Sequence, residues 1–194
     1  MIYYIAYWVV FVVFRVVYPH SVIDRDKYMP DKKVILCGNH TQLTDSVLVA
    51  LALSPRYRPR FIAKHQLFKN KLVAWFLRQC GAYPVNRDTA DLEAIKTTLK
   101  ILKEDGTLIL FPEGTRVSEE ETSAAKAGAG MFAYKTGATV IPVYLSPKKR
   151  PFKRFYIRFG APVPIPELNH KPTVQDYTDF SNTIMAHVFA LGDS

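Results

Sequence analysis

Cysteine is scarce in this chain of 194 residues: only Cys37 and Cys80 occur. Both lie in apolar sequence, so a disulfide framework is not indicated and a reducing compartment is expected. A fixed-period repeat, a glycine-serine linker and a low-complexity tract are also missing. Their absence argues against solenoids and tethered modules and leaves one domain, since the chain is long enough for a single substantial core. Nor does any apolar run reach the ~18 or more uninterrupted residues of a clear transmembrane helix. Acidic residues are in short supply, with 17 Asp and Glu against 26 Lys and Arg, giving a formal charge of +9 and a pI near 9.5. That balance calls for an anionic partner: nucleic acid, a membrane surface or an acidic substrate.

The N-terminus helps choose among these. No charged side chain occurs from Ile2 to Phe14, and after Arg15 the apolar character resumes through Tyr18 until Pro19. Tyr3, Tyr4, Tyr7 and Trp8 suit a headgroup boundary, and Arg15 can snorkel toward phosphates. Residues 1–20 are therefore expected to be a membrane-embedded or interfacial anchor rather than a full span, and residues 21–194 the single folded domain that follows it. A cleavable signal peptide is disfavoured, because a basic leading region and a small-residue cleavage site are lacking. Arg15 and His20 toward the end of the anchor, and Arg25, Lys27, Lys32 and Lys33 after it, lead to the expectation that the domain lies on the cytoplasmic side of the membrane.

Beyond the anchor, short apolar strands alternate with amphipathic helices, the pattern of an α/β domain with a mainly parallel central sheet flanked by helices. Strands are expected at Val34 to Cys37, Arg60 to Ala63, Ala82 to Val85, Thr107 to Phe111, Val140 to Leu145 and Phe155 to Phe159. The near-continuous apolar run from Thr107 belongs in mid-sheet, whereas Pro142 argues that its strand is an edge or carries a bulge. A helix is expected to start at Asp88 as N-cap, with Leu92, Ile95, Leu99 and Leu102 at helical spacing and Gly106 as its stop. Thr173 to Leu191 carries a similar stripe and reads as a packing helix.

Asn39-His40-Thr41-Gln42-Leu43-Thr44-Asp45 joins a potential general base to a carboxylate five residues on. On a helix that spacing puts side chains roughly 140° apart, and on a strand it sends them to opposite faces. The two meet only if His40 sits in the turn before a helix and Asp45 lies a turn inside it. Val34 to Cys37 as a strand, Gly38-Asn39 as a turn and Thr44 to Leu53 as a helix supply that setting. Further polar groups follow other strands. Gly81 to Arg87 ends in an arginine before a helix N-terminus, where an anion meets a guanidinium and free N–H groups. Phe111-Pro112-Glu113-Gly114-Thr115-Arg116 lies beyond the carboxyl end of its strand, where open α/β sheets bind ligands. Lys64, and Lys126 before Gly128-Ala129-Gly130, are basic candidates for the same groove. Lys148 to Phe155 interleaves cations with aromatics; an RNA-binding segment has this look, but beside an apolar N-terminus it reads as a basic loop near anionic headgroups, with no nucleic acid partner.

In order and spacing, four of these segments resemble the glycerolipid acyltransferase family, specifically its small bacterial 1-acyl-sn-glycerol-3-phosphate acyltransferases. Asn39-His40 through Asp45 matches the His-x4-Asp block; Gly81 to Arg87, Phe111 to Arg116 and Val140 to Val143 match the second, third and fourth. The resemblance covers roughly residues 30 to 165, and four ordered blocks are far more specific than a lone pair. It implies an α/β acyltransferase domain in which His40 is the general base and Asp45 its orienting partner. It further implies acceptor binding by Arg87, Glu113, Gly114, Thr115 and Arg116, with Lys64 and Lys126 where such enzymes often carry basic residues. Gln66 departs from the pattern, standing where a related Lys-x-Glu segment has Glu. The expected reaction moves a fatty acyl group from acyl-CoA or acyl carrier protein to the free hydroxyl of lysophosphatidic acid at an anionic membrane, without cofactor or metal. Glycerol 3-phosphate, another lysophospholipid or an amine lipid remain alternative acceptors, and a non-catalytic membrane-binding module is the non-enzymatic alternative.

Overall fold

The computed structural model of the chain describes residues 2–86, 91–113, 127–147 and 149–193. Among them, seven strands form one sheet: β1 (His20–Ile23), β2 (Val34–Gly38), β3 (Arg60–Lys64), β4 (Ala82–Val85), β5 (Thr107–Leu110), β6 (Thr139–Leu145) and β7 (Phe155–Phe159). Their order is β1-β7-β6-β2-β5-β3-β4. The described pairings are parallel except β6 with β7. The helices are α1 (Ile2–Val17), α2 (Arg25–Tyr28), α3 (Asp45–Ala52), α4 (Lys71–Gln79), α5 (Leu92–Lys103), α6 (Gly128–Thr136) and α7 (Val174–Ala190).

Strand β2 occupies the middle of the sheet, and all five of its residues are buried. Because side chains alternate along a strand, Val34 and Leu36 enter one core with Leu48, Val49, Phe61 and Phe159. Ile35 and Cys37 enter the other, with Leu102, Phe132, Phe180 and Ile184. A sheet covered by α3 and α4 on one face and by α5, α6 and α7 on the other therefore needs strands apolar at every position, as the expected mid-sheet run of β5 also shows.

Three details differ from the sequence reading. Strand β1 was not foreseen: four residues just after the apolar segment pair with β7, His20 opposite Phe155 and Val22 opposite Ile157. The N-cap of α5 is Asp91, whose Oδ1 accepts from Ala94 N at 3.0 Å; the expected start at Asp88 lies outside the described residues. Pro142 sits in β6, between β2 and β7, and so in the sheet interior rather than at an edge. It is tolerated because it falls between the Val140–Val163 bridge and the Val143–Phe159 pair, where Gly160 N donates to Pro142 O at 2.8 Å. The ladder is interrupted there, so the missing N–H removes no regular bond.

Helix α1 is docked on the domain. Phe14 packs against the first core, and the Tyr7 hydroxyl donates to the carbonyls of Leu53, at 2.9 Å, and Leu51. Its other face leaves Ile5, Trp8, Val9, Val12, Val13 and Val16 exposed. Among the described residues no helix is long and apolar enough to cross a membrane.

Candidate active site

The carboxyl ends of the parallel strands β2, β3, β5 and β6 all open on one rim of the sheet, and the polar residues collect there. Gly38 closes β2 at a tight place: a Cβ would lie 3.2 Å from Phe111 Cε1 and from Val143 O. Asn39 follows and spans to β6, its Nδ2 donating to Leu145 O at 2.9 Å while its Oδ1 accepts from Leu145 N at 2.8 Å. That two-point clasp fixes where the next residue, His40, emerges.

His40 Nδ1 stands 3.2 Å from Asp45 Oδ2. Asp45 is the first residue of α3 rather than one turn inside it, so the intervening turn must fold back on the carboxylate. It does so through Thr41 N and Gln42 N, which donate to the same Oδ2 at 2.7 and 2.8 Å. A single carboxylate thus closes the turn and orients the imidazole. Because a carboxylate only accepts, Nδ1 is the donor of this pair, so the tautomer it selects in a neutral ring leaves the lone pair on Nε2. Among the described residues no partner takes Nε2. The Phe111 ring stacks on the imidazole, centroids 4.3 Å apart at 22°. Glu113 Oε2 accepts from His40 N at 3.0 Å. Ring, backbone and Nδ1 are each held, which leaves the imidazole little rotational freedom.

Asp45 is fully buried. Burial opposes its ionisation, but the bond from His40, the charge of Lys149 and the N–H groups of Gln42 and Thr41 outweigh that cost and hold its carboxyl below the usual range. Glu113 behaves oppositely: burial pushes its carboxyl up, the contacts with His40 only partly offset this, and the negative charge of Asp45 adds to it. Cys37, three residues before His40, is wholly buried and its thiol is pushed far up by burial. An inert core thiol is a poor nucleophile, so covalent chemistry at this position is disfavoured.

Two cavities share His40 in their walls. One, of about 240 Å³, is bounded by Ile62, Ile109, Phe111, Ile95 and Phe132. The other, of about 250 Å³, is bounded by Leu43, Val47, Phe61, Lys64 and Leu67. The first lies toward α5 and α6, the second toward α3 and α4, so the imidazole stands where spaces on the two faces of the sheet meet.

Of the expected site residues, the structure brings together His40, Asp45 and Glu113, with Lys64 exposed at the end of β3 in the second cavity. Glu113 is buried and accepts from the His40 amide, so its visible work is to hold the turn that carries His40. Arg87, Gly114, Thr115, Arg116 and Lys126 lie outside the described residues. Sequence reasoning missed Lys149. Placed by its basic neighbours in a headgroup-facing loop, it is instead fully buried beside Asp45. No feature of the run distinguishes Lys149 from the cations around it.

Residues 20–146 match the family model described as Acyltransferase. The chain belongs to the acyltransferase family. It is 33% identical over 144 residues to a Streptococcus pneumoniae protein named 1-acyl-sn-glycerol-3-phosphate acyltransferase, a match covering 71% of this chain and 53% of that one. A Bacillus subtilis protein of the same name is 30% identical over 158 residues, 79% of this chain and 78% of that one. The chain thus spans about half the length of the first relative and over three-quarters of the second. The crystal structure of the 1-acyl-sn-glycerophosphate acyltransferase of Thermotoga maritima superposes with a TM-score of 0.70 at 24% identity, over 100% of this chain and 79% of that one. It shares the fold. Within the matched family segment lie β1 through β6 and both members of the His40–Asp45 pair.

Proposed function

We propose that the protein transfers a fatty acyl group from a thioester donor, acyl-CoA or acyl carrier protein, to the free hydroxyl of 1-acyl-glycerol 3-phosphate, giving phosphatidic acid. The observation that carries this reading is the His40–Asp45 pair at the meeting of two largely apolar cavities. An alcohol with a pKa near ~16 is a poor nucleophile at neutral pH, so its proton must leave as the carbonyl is attacked. His40 Nε2 takes that proton. Asp45, bonded to Nδ1, fixes the tautomer and stabilises the imidazolium as it forms, as the carboxylate of a serine-protease triad does. The substrate oxygen bonds to the acyl carbon, the carbon–sulfur bond breaks, and the thiolate leaves with the proton returned from His40. A thiolate is a good enough leaving group that no acyl-enzyme is required. Lys64 in the second cavity, with Arg87, Arg116 and Lys126, is proposed to bind the acceptor phosphate and so to select which hydroxyl faces His40. The names of the Streptococcus and Bacillus relatives support this acceptor.

The same reading puts the chain on the cytoplasmic side of the bacterial cell membrane, held by the exposed apolar face of α1 and by anionic lipid. The deciding experiment is acyl transfer to lysophosphatidic acid with both donors, wild type beside His40→Ala. The variant is expected to lose turnover by about 10³-fold or more while binding lipid as wild type does; substantial residual turnover overturns the role of His40. An acceptor panel with glycerol 3-phosphate, other lysophospholipids and an amine lipid tests the acceptor.

A further inference from the structure

A third charge stands behind the pair. Lys149 lies in the segment after β6, its side chain wholly buried and its Nζ 3.1 Å from Asp45 Oδ1. The same ammonium donates to Thr41 Oγ1 at 2.9 Å and to Ser146 O at 3.1 Å. In return Gln42 Nε2 donates to Lys149 O at 3.1 Å. An ammonium has three N–H groups, and here each has a protein oxygen within reach. Lys149 is therefore not available to a phosphate or a headgroup, unlike the exposed Lys64.

The placement has an electrostatic consequence. Asp45 Oδ2 takes three N–H groups, among them His40 Nδ1, while Oδ1, which among the described residues accepts no hydrogen bond, is ion-paired with the ammonium at 3.1 Å. A buried carboxylate without another cation favours the charged form of a neighbouring imidazole, and an imidazolium cannot accept the alcohol proton. We propose that Lys149 is a positioning residue for the reaction: its ammonium balances the Asp45 charge, so that the carboxylate orients the imidazole without drawing a further proton onto it, and it ties the segment after β6 to the turn that carries His40. The catalytic part of this rests on the acyltransferase reading above; the charge balance does not. Among the described residues, the other charged groups around His40 are Glu113, bonded to its amide, Lys64, across the second cavity, and Asp91, in the wall of the first. None of them bonds to Asp45 in the described structure.

Lys149→Met keeps an unbranched apolar stem, one atom shorter, and removes the charge. The expected result is a folded variant whose His40 imidazole, followed by NMR without any substrate, titrates about one pH unit or more above wild type. The acid limb of kcat/KM is expected to move the same way, and kcat at neutral pH to fall severalfold, up to about tenfold for each unit of that shift, with acceptor KM little changed. Lys149→Arg, which retains the cation, is expected to keep the wild-type titration even where its bulk lowers kcat. A folded Lys149→Met with an unmoved His40 titration overturns the proposal, and so does a defect confined to KM. If Lys149→Met does not fold, the double variant with Asp45→Asn, which removes both buried charges, is expected to fold; a double variant that stays unfolded also overturns it. Absence of acyl transfer by the wild type would count against the proposed function alone, because the NMR titration reads the charge balance without turnover.

Discussion

Asp45 and Glu113 are both buried within reach of His40, yet their environments drive their carboxyl groups apart. Asp45 has an ammonium and three N–H groups to stabilise its charge, whereas Glu113 has the His40 amide and a negative neighbour. The sign of each contribution to stability follows. For Asp45, lowered in the folded state, the contribution is complete above the unfolded value of about 3.9 and is lost as pH falls through the lower folded one. For Glu113, raised in the folded state, the native protein holds a proton that the unfolded chain has released. Its contribution is therefore complete below about pH 4.3 and declines as pH rises through the folded value. Urea unfolding from pH 3 to pH 7 checks both: Asp45→Asn is expected to flatten the acid loss of stability, and Glu113→Gln to gain relative to wild type as pH rises. Identical pH slopes for the two variants would contradict this assignment. The candidate pair was legible in sequence because one strand-turn-helix unit contains it. Lys149, 104 residues beyond Asp45 in the chain, was not, since nothing local tells a buried lysine from a solvated one.

Among the elements, α6 and α7 meet at a glycine. A Cβ on Gly130 would lie 2.1 Å from Tyr177 O and 2.8 Å from its Cα, and the Gly130 amide donates to the buried Ser181 hydroxyl at 3.0 Å. Backbone cannot step aside as the tip of a side chain can, so Gly130→Ala is expected to destabilise by about 1–3 kcal/mol through overpacking. Gly128→Ala, whose Cβ would meet only Phe132 Cε2 at 3.9 Å, is expected to leave stability unchanged or raise it by up to about 1 kcal/mol. Denaturant midpoints for the two variants distinguish a packing requirement from simple helix propensity. Six of the seven strands were legible because each is a short apolar run, continuous where the strand lies in mid-sheet. Strand β1 was hidden because its partner, β7, lies over 130 residues away, and its sequence His-Ser-Val-Ile carries a weak pattern of its own.

On the scale of the molecule, apolar surface and positive charge occur together. Trp8, Val9, Val12 and Val16 on α1, and Leu72, Trp75 and Phe76 on α4, are exposed, and α1 packs beside α4. The net charge of +9 favours anionic lipid. Binding to anionic vesicles is expected to exceed binding to zwitterionic ones and to weaken as salt rises. Val12→Glu or Trp75→Glu is expected to cut vesicle affinity about tenfold to a hundredfold, the equivalent of about 1.5–3 kcal/mol for one buried apolar side chain. Because both positions are exposed, thermal stability should change little. Unchanged vesicle affinity in both variants would remove this face as the membrane contact.

The sequence by itself determined the α/β class, the sheet-facing runs, the strand-turn-helix that carries His40 and Asp45, and the basic, apolar-led character of the chain. These are local or compositional properties, governed by period, turn chemistry and charge. Tertiary structure alone decided that Glu113 holds the His40 amide, that His40 stands in the walls of two cavities, that Pro142 lies inside the sheet and that the buried Lys149 stands beside Asp45. Each of those depends on which strands become neighbours, and in a parallel sheet the neighbours come from distant parts of the chain.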